Sequence, residues 1–392
     1  MHTQQTRIGL FGLGCVGQGL HEILHQTRGI KAEIIRICVK NPDKKRHVNP
    51  SLITYHKKDI LNDESINVIV ELIDDADEAF QIVSSALRNG KAVVTANKKM
   101  IAEHFEELFQ LQQQYNVPLL YEGSVCGSIP IIRNLEEYYD NDLLSSVEGI
   151  CNGTTNYILT KTALESKSYE EALREAQELG FAESNPILDV QGFDPKYKLT
   201  ILLAHTFGLF IKPERLLNYG IHNLNENDSK FAREKNYRIK LVAHTSRDKD
   251  NVKAYVLPRF IKSDELMYNV NNEYNAALVQ AQFSDRQFFI GKGAGSHPTA
   301  SAVLSDISAL QFGYRYAYKK TTQRNGTTFS NEFKIKVYVR YEHVNALNEL
   351  NVTNIEQRYN SKDYNYVIGD VQLSNLIRFN PNERCDVFVG AI

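Results

Sequence analysis

The chain has 392 residues, a formal net charge of -2 and a hydrophobic fraction of 42%. That is enough for two or three domains with cores of their own, and a charge so near zero argues against a nucleic acid or an anionic membrane as partner. Five scattered cysteines (Cys15, Cys38, Cys126, Cys151, Cys385) form no CxxC pair and no zinc-spaced group, so no structural zinc or disulfide framework is expected and a reducing cytosol fits. No apolar run reaches the roughly 18 residues of a membrane span. The start, MHTQQTRIGLFGLG, goes straight into strand-like residues, without the basic and then apolar pattern of a signal peptide.

Arg7–Phe11 is an apolar run that leads into Gly12-Leu13-Gly14-Cys15-Val16-Gly17 and then a helix-like stretch, QGLHEILHQ. In a strand–turn–helix unit of this kind Gly12 makes the tight turn, Gly14 lets backbone approach a pyrophosphate, and Gly17 lets helix and strand pack closely. The N–H groups at the helix start would face the negative charge. Phe11, Gly12, Gly14, Cys15, Val16 and Gly17 are therefore cofactor candidates, against the plainer alternative of a simple turn. The second strand, Glu33–Val39, ends in Lys40-Asn41-Pro42-Asp43-Lys44-Lys45-Arg46. An NAD-preferring unit places an acidic residue at this strand end. Lys40 and the lysines and arginine that follow suit a 2′-phosphate, so NADP is expected ahead of NAD; the alternative is a solvated basic turn.

Further along, Asn67–Ile73 predicts a buried strand, Glu78–Arg88 a helix stopped at Gly90, Ala92–Thr95 a strand, Met100–Gln114 a helix and Val117–Tyr121 a strand. This alternation predicts a parallel, doubly wound sheet whose ligands lie beyond the carboxyl ends of its strands. Thr95-Ala96-Asn97-Lys98 and Glu122-Gly123-Ser124 stand at such ends. In the middle of the chain, Ser168 and Glu171 form a capping box for a helix Glu170–Leu179, and Gly180 stops it.

Four segments carry a family resemblance: TANK at Thr95–Lys98, GICNGTTNYIL at Gly149–Leu159, GFAESNPILDVQGFDPKYKL at Gly180–Leu199, and GKGAGSHPTASAV at Gly291–Val303. In this order the chain resembles the homoserine dehydrogenase family over roughly its first 320 residues. The resemblance implies a nicotinamide-dependent interconversion of L-homoserine and L-aspartate 4-semialdehyde, in threonine, methionine and isoleucine biosynthesis. It implies Lys198 as the proton carrier, assisted by Lys98 near the nicotinamide, and Glu183, Asp189 and Asp194 on the substrate, with Thr154 and Phe181 beside it. Thr95, Lys98, Gly180, Glu183 and Gly295 would meet the cofactor. A monovalent cation, Na+ or K+, would rest on the segment of Glu122, Val125, Gly127 and Ile129, mostly through backbone carbonyls. The implied fold is a Rossmann-type domain (1–126, completed by helix 298–320), a mixed α+β catalytic and dimerisation domain (127–297), and a homodimer or higher homo-oligomer.

The chemistry agrees with these residue types. Oxidising a primary alcohol by hydride transfer needs a base for the hydroxyl proton, and the reverse needs an acid. A lysine serves where burial or a second cation brings its pKa towards neutrality, and two lysines on one oxygen also stabilise alkoxide charge. Asp194 and Lys198 fall on one helix face, with Asp194 as N-cap and Pro195 at the first helical position. Lys196 matches no family position and is expected to be solvated. Cys126 and Ser128 interrupt a glycine-rich run, Asp74-Asp75 replace two glycines, Asn185 and Gln191 replace acidic residues, and Pro195 replaces a small one. These departures keep two other readings open: a catalytically weak paralogue that binds nucleotide or an amino acid in a regulatory role, and an oxidoreductase on a related semialdehyde.

Ile201–Leu209 is expected as a buried helix, KAYVLPRFI as a strand pair, Asn275–Phe289 as two strands around a polar turn, and Pro298–Phe312 as a helix. After a linker-like QRNGTTFSNE, strands at Glu332–Arg340, Ile355–Tyr359, Asp363–Asp370 and Asp386–Val389, with a short helix Val344–Leu350, resemble a shortened ACT-like α+β module spanning 322–392. The alternative is an extra sheet used for assembly.

Overall fold

The structure is a computed structural model that describes residues 5–141, 143–323 and 326–392. Two residues of the expected linker, Arg324 and Asn325, lie outside the described residues. The chain divides into two compact units, one of residues 1–140 with 292–319, the other of 141–291 with 320–392.

The first unit is built on strands β1 (Thr6–Phe11), β2 (Ala32–Cys38), β3 (Ile53–Thr54), β4 (Val68–Glu71), β5 (Ala92–Thr95) and β6 (Leu119–Leu120), in sheet order β3-β2-β1-β4-β5-β6. Every pairing is parallel. Ile8, Leu10, Ile69, Val70, Val93 and Val94 are fully buried, which is why these strands appear in the sequence as continuous apolar runs, as a sheet covered on both faces requires. The helix Cys15–Gln26 packs with the late helix Ser296–Gln311, and Ala76–Arg88 packs with Lys98–Tyr115. Helix 296–311 thus returns the chain to this unit. Residues 127–140 also belong here: Glu136 accepts from the Tyr318 N–H at 2.9 Å, and Arg133 binds Asp306 at 2.8 Å. The sheet unit therefore extends past the boundary expected after residue 126.

The second unit carries β7 (Leu144–Ile150), β8 (Leu217–Asn218), β9 (Tyr237–Asp248), β10 (Asn251–Lys262), β11 (Tyr274–Ala281), β12 (Asp285–Lys292), β13 (Thr328–Phe329), β14 (Lys334–Tyr341), β15 (Thr353–Asn360), β16 (Asn365–Gln372) and β17 (Val387–Ala391). Among the described residues they make one 11-stranded sheet, ordered β12-β11-β7-β9-β10-β17-β14-β16-β15, with β8 and β13 on β10. KAYVLPRFI is one strand, not two: Pro258 sits inside β10 opposite Leu241, and β10 pairs with β9 along its whole length. Helices Gly153–Leu164 and Phe193–Phe207 pack against this hairpin.

Residues 334–391 run β14, helix Asn345–Leu350, β15, β16, helix Leu373–Phe379, β17: a β-α-β-β-α-β order of ferredoxin-like type. The expected short strands and helix are there, together with a second helix that the sequence did not suggest. These strands are not a detached module, because β17 pairs with β10 and continues the sheet. An ion pair binds them in. Arg340 on β14 donates to Asp228 at 2.9 Å, Tyr338 donates to the same carboxylate at 3.1 Å, and Asp228 is fully buried. Burial pushes the Asp228 carboxyl upwards, and the Arg340 guanidinium opposes this. Removing one member of such a pair strands the other charge, so Arg340→Met is expected to destabilise the second unit by about 3–5 kcal/mol in urea unfolding.

Candidate active site

The turn after β7 and the start of helix Phe193–Phe207 meet in the second unit. Asn152 is the joint. Its side-chain oxygen caps helix Gly153–Leu164 by accepting from the Thr155 N–H at 2.8 Å. Its side-chain NH2 donates to Asp189 Oδ1 at 2.6 Å and to Asp194 Oδ2 at 2.8 Å. Asp194 Oδ2 also accepts from Lys198 Nζ at 2.7 Å, one helical turn on, and Lys198 donates as well to the Cys151 carbonyl at 2.5 Å. Asn152, Asp194 and Lys198 are all buried. The result is a chain of ion and hydrogen bonds, Lys198–Asp194–Asn152–Asp189, in which a buried ammonium has a carboxylate and a carbonyl for partners. Burial without such partners would cost several kcal/mol. Thr154 adds a bond at 2.5 Å to the Phe181 carbonyl, and the Phe181 ring lies 4.9 Å from that of Tyr157.

The geometry brings together Thr154, Phe181, Asp189, Asp194 and Lys198. The capping box at Ser168 and Glu171 is present, helix Tyr169–Glu178 follows, and Gly180 takes a left-handed φ of 77°. Beyond it Glu183 is exposed, its carbonyl accepting from Gln177 Nε2 at 3.0 Å. Two expectations need correction. Asp194 is not the N-cap: the helix begins at Phe193, capped by Gly192 in a left-handed conformation (φ 82°), because the Asp194 carboxylate is turned to Lys198 and Asn152. Pro195 accordingly falls inside the first turn. Lys196 is not solvated. It is buried, its Nζ 4.5 Å from the centre of the Phe193 ring, and burial lowers its pKa, partly offset by Glu214. The helix is buried on nearly all sides, so even its non-reactive lysine is covered. Asn152 was missed, although its place before GTTN is an N-cap signal.

Most of the other candidates lie in the first unit. Gly12 has φ 92°, and a Cβ there would meet the Leu72 carbonyl at 2.5 Å. A Cβ at Gly17 would lie 2.3 Å from the Gly12 carbonyl. At Gly14 it would meet nothing within 4 Å, and no side chain caps the helix that opens at Cys15 and Val16. A tight turn, a close helix and an open face beside uncapped N–H groups fit a pyrophosphate. Ser296, next to Gly295, donates to the Cys15 carbonyl at 2.7 Å, so the GAGSHP turn braces the same helix start. Phe11 ends β1, and exposed Lys40 follows β2. Thr95 ends β5, and Asn97 caps the helix that Lys98 opens, accepting from the Met100 N–H at 3.0 Å. Gly180 and Glu183 belong to the second unit.

Among the departures, Asp75 caps helix Ala76–Arg88 by accepting from Glu78 N–H at 2.9 Å, while Asp74 is exposed. Asn185 accepts from the Ile187 N–H, Cys126 is buried, and Ser128 binds the Lys292 carbonyl at 3.1 Å. The Gln191 carbonyl accepts from Asn218 at 2.9 Å. The Glu122 carboxyl is committed to the N–H groups of Ile132 and Arg133, each at 2.9 Å; burial first, and then Asp306, push it up to about 8. A cation at this loop would therefore rest on backbone carbonyls of the Val125, Gly127 and Ile129 segment.

Residues 12–122 match the family model described as "Homoserine dehydrogenase, NAD binding domain", and residues 130–308 that described as "Homoserine dehydrogenase". A homoserine dehydrogenase of Bacillus subtilis is 34% identical over 355 residues, covering 86% of this chain and 82% of that protein. A solved homoserine dehydrogenase from Thiobacillus denitrificans is similar with a TM-score of 0.85 and 30% identity, over 99% of this chain and 98% of that one. A hyperthermophilic archaeal homoserine dehydrogenase mutant in complex with NADPH is similar with a TM-score of 0.69 and 27% identity, over 80% of this chain and 100% of that one.

Asn152 supports both fold and site, so its removal has two consequences. Asn152→Ala is expected to lower stability by about 1–2 kcal/mol through the lost cap alone. Asn152→Asp, which keeps the cap but sets a third carboxylate against Asp189 and Asp194, is expected to lose stability progressively as pH rises through the carboxylate range. Urea unfolding of both variants at pH 5 and pH 8 checks this.

Proposed function

The chain belongs to the homoserine dehydrogenase family, and from that premise we propose that it interconverts L-homoserine and L-aspartate 4-semialdehyde, serving threonine, methionine and isoleucine synthesis in the cytosol. The observation that carries the reading is the chain Lys198–Asp194–Asn152–Asp189, buried except at half-buried Asp189, which sets a lysine ammonium and two carboxylates together. The nicotinamide nucleotide, when bound, supplies the hydride acceptor or donor for C4. Lys198 handles the proton. Paired with Asp194, it is held as a donor to the aldehyde oxygen in reduction, and in oxidation it receives the hydroxyl proton. Lys98 is the second lysine of this reading, a source of positive charge for developing alkoxide character. Asp189, Glu183 and Asp194 suit the substrate ammonium, and Thr154 and Phe181 shape the adjoining wall.

The Gly12–Gly17 turn suits the pyrophosphate, and Thr95 and Gly295 line the same cofactor reading. Lys40 selects NADP over NAD by its charge toward a 2′-phosphate. The remaining parts of the proposal are a Na+ or K+ ion on the Glu122–Ile129 loop, a homodimer, and an ACT-like amino-acid-binding role for residues 334–391.

Reduced-nicotinamide absorbance with L-homoserine and either nucleotide tests the reading; a folded, nucleotide-binding protein that turns over with neither sinks it. Lys198→Ala is expected to lower kcat by on the order of 10²–10⁴-fold with nucleotide affinity kept. Lys40→Ala is expected to erode the NADP preference, seen as a fall in kcat/KM for NADP with that for NAD unchanged.

A further inference from the structure

Glu71 is the last residue of β4, in the middle of the parallel sheet. Its sheet partners are Phe11, which leads into the glycine turn, and Thr95, which leads to Asn97 and Lys98. It is fully buried. One carboxylate oxygen accepts from the Ile73 N–H at 2.7 Å, the other from the Thr95 hydroxyl at 2.6 Å. Thr95 Oγ1 in turn accepts from the Asn97 N–H at 3.0 Å, and the Asn97 side chain donates to the Ile73 carbonyl at 3.0 Å. These bonds close a ring, Glu71–Thr95–Asn97–Ile73. The ring joins the two turns that follow β4 and β5. The first of these turns also touches the glycine turn, since Leu72 N–H donates to the Phe11 carbonyl at 2.8 Å and the Leu72 carbonyl blocks any Cβ at Gly12.

We propose that Glu71 is a positioning residue of the nucleotide site: its buried carboxylate, acting through Thr95 and Asn97, holds the Thr95–Lys98 turn in the shape that receives the nicotinamide end. The inference rests on the reading of this strand edge as the cofactor site. The carboxylate accepts from both donors and leaves Thr95 Oγ1 to accept from Asn97. A glutamine keeps one acceptor for the Ile73 N–H, but its NH2 reverses the other bond: Thr95 Oγ1 must then accept from both the glutamine and Asn97, and its own hydroxyl hydrogen loses the acceptor it had. Burial is the main reason the carboxyl is pushed up to about 7, with nearby Asp74 adding to it; the bonds from Thr95 and Ile73 hold it down. Protonation removes the charge that strengthens both bonds and turns the Thr95 hydroxyl from donor to acceptor, leaving its hydrogen without Glu71 as partner, so the ring loosens as pH falls through that range.

The test uses the whole protein and the fluorescence of NADPH and NADH on binding, beside steady-state kinetics. Glu71→Gln is expected to weaken nucleotide binding at pH 8 by roughly 10-fold, the scale of one lost hydrogen bond to a charged group, with the KM for L-homoserine little changed. The wild type should bind nucleotide more weakly as pH falls from 8 to 6, and the variant should lose that dependence. Thr95→Val, which cuts the ring at its next link, should give the same loss, and the double variant should be no worse than either single one. Should Glu71→Gln fail to fold, the Thr95→Val affinity and pH profile decide alone. Wild-type affinity with a wild-type pH profile in the variant overturns the proposal. So does tighter binding, which would mean that the carboxylate only repels the nucleotide. Absent turnover with intact nucleotide binding counts against the homoserine reading and leaves this test in force.

Discussion

A buried ammonium has to be answered by its surroundings, and the second unit is arranged around answering Lys198. The side chain leaves a helix that is covered on nearly every face, so water cannot solvate it. Its charge is met by Asp194 from the same helix and by the Cys151 carbonyl from the end of β7. That second contact fixes where β7 must end relative to the helix. Asn152 then follows at once, and it both starts helix Gly153–Leu164 and holds Asp189 and Asp194. Asp194 in the first turn also places negative charge at the favourable end of its helix. Moving any one of these residues would leave a buried charge or a buried amide without its partner.

The first unit follows a different constraint. In a parallel sheet the turns that leave the carboxyl ends of the strands gather along one edge, and their shape there has to be held. Glycine does this at Gly12 and Gly17, through a positive φ and a contact too close for any side chain. Glu71 does it from below, by hydrogen bonds that tie two neighbouring turns together. The carboxylate gives those turns more acceptor capacity than the backbone alone supplies, in a place where desolvation would otherwise favour an apolar residue.

Features encoded within a few residues were legible in the sequence. The capping box at Ser168 and Glu171, the glycine stop at Gly180, the alternation of β1, β2, β4, β5 and β6 with helices (though not the two-residue β3), and the placement of Asp194 and Lys198 one turn apart all depend on local spacing. What escaped depended on distant partners. Lys196 looks solvated by composition, yet its helix packs against β9 and β10 and its Nζ lies over the Phe193 ring of the same helix. Asp194 has the composition of an N-cap, but its carboxylate has stronger partners across the fold, so Gly192 takes the cap position. KAYVLPRFI is expected as a strand pair, and the full-length pairing of β9 with β10 makes it part of one strand with Pro258 inside it. Glu71 sat inside an apolar run with nothing nearby to mark it.

The C-terminal strands show how far long-range pairing can reach. Their β-α-β-β-α-β order is that of a self-sufficient unit, yet β17 pairs β10 and Arg340 is buried against Asp228. The one-turn helix Pro381–Glu383 goes further. Asn382 donates to the carbonyls of Asn218, at 2.9 Å, and Gln191, at 3.4 Å, and the Asn218 side chain donates to the same Gln191 carbonyl. Gln191 stands between Asp189 and the Gly192 cap of the Lys198 helix. Beside it, the Ile221 N–H donates to the Val190 carbonyl at 2.7 Å, and Gly220 leaves that carbonyl no room for a side chain. The bend that turns Asp189 and Asp194 toward Asn152 is therefore held from behind by the last 60 or so residues of the chain as well as by its own glycine. Those residues are part of what makes the Lys198 site rigid, because a site held by packing and by hydrogen bonds behind it keeps its geometry better than one left on a free loop.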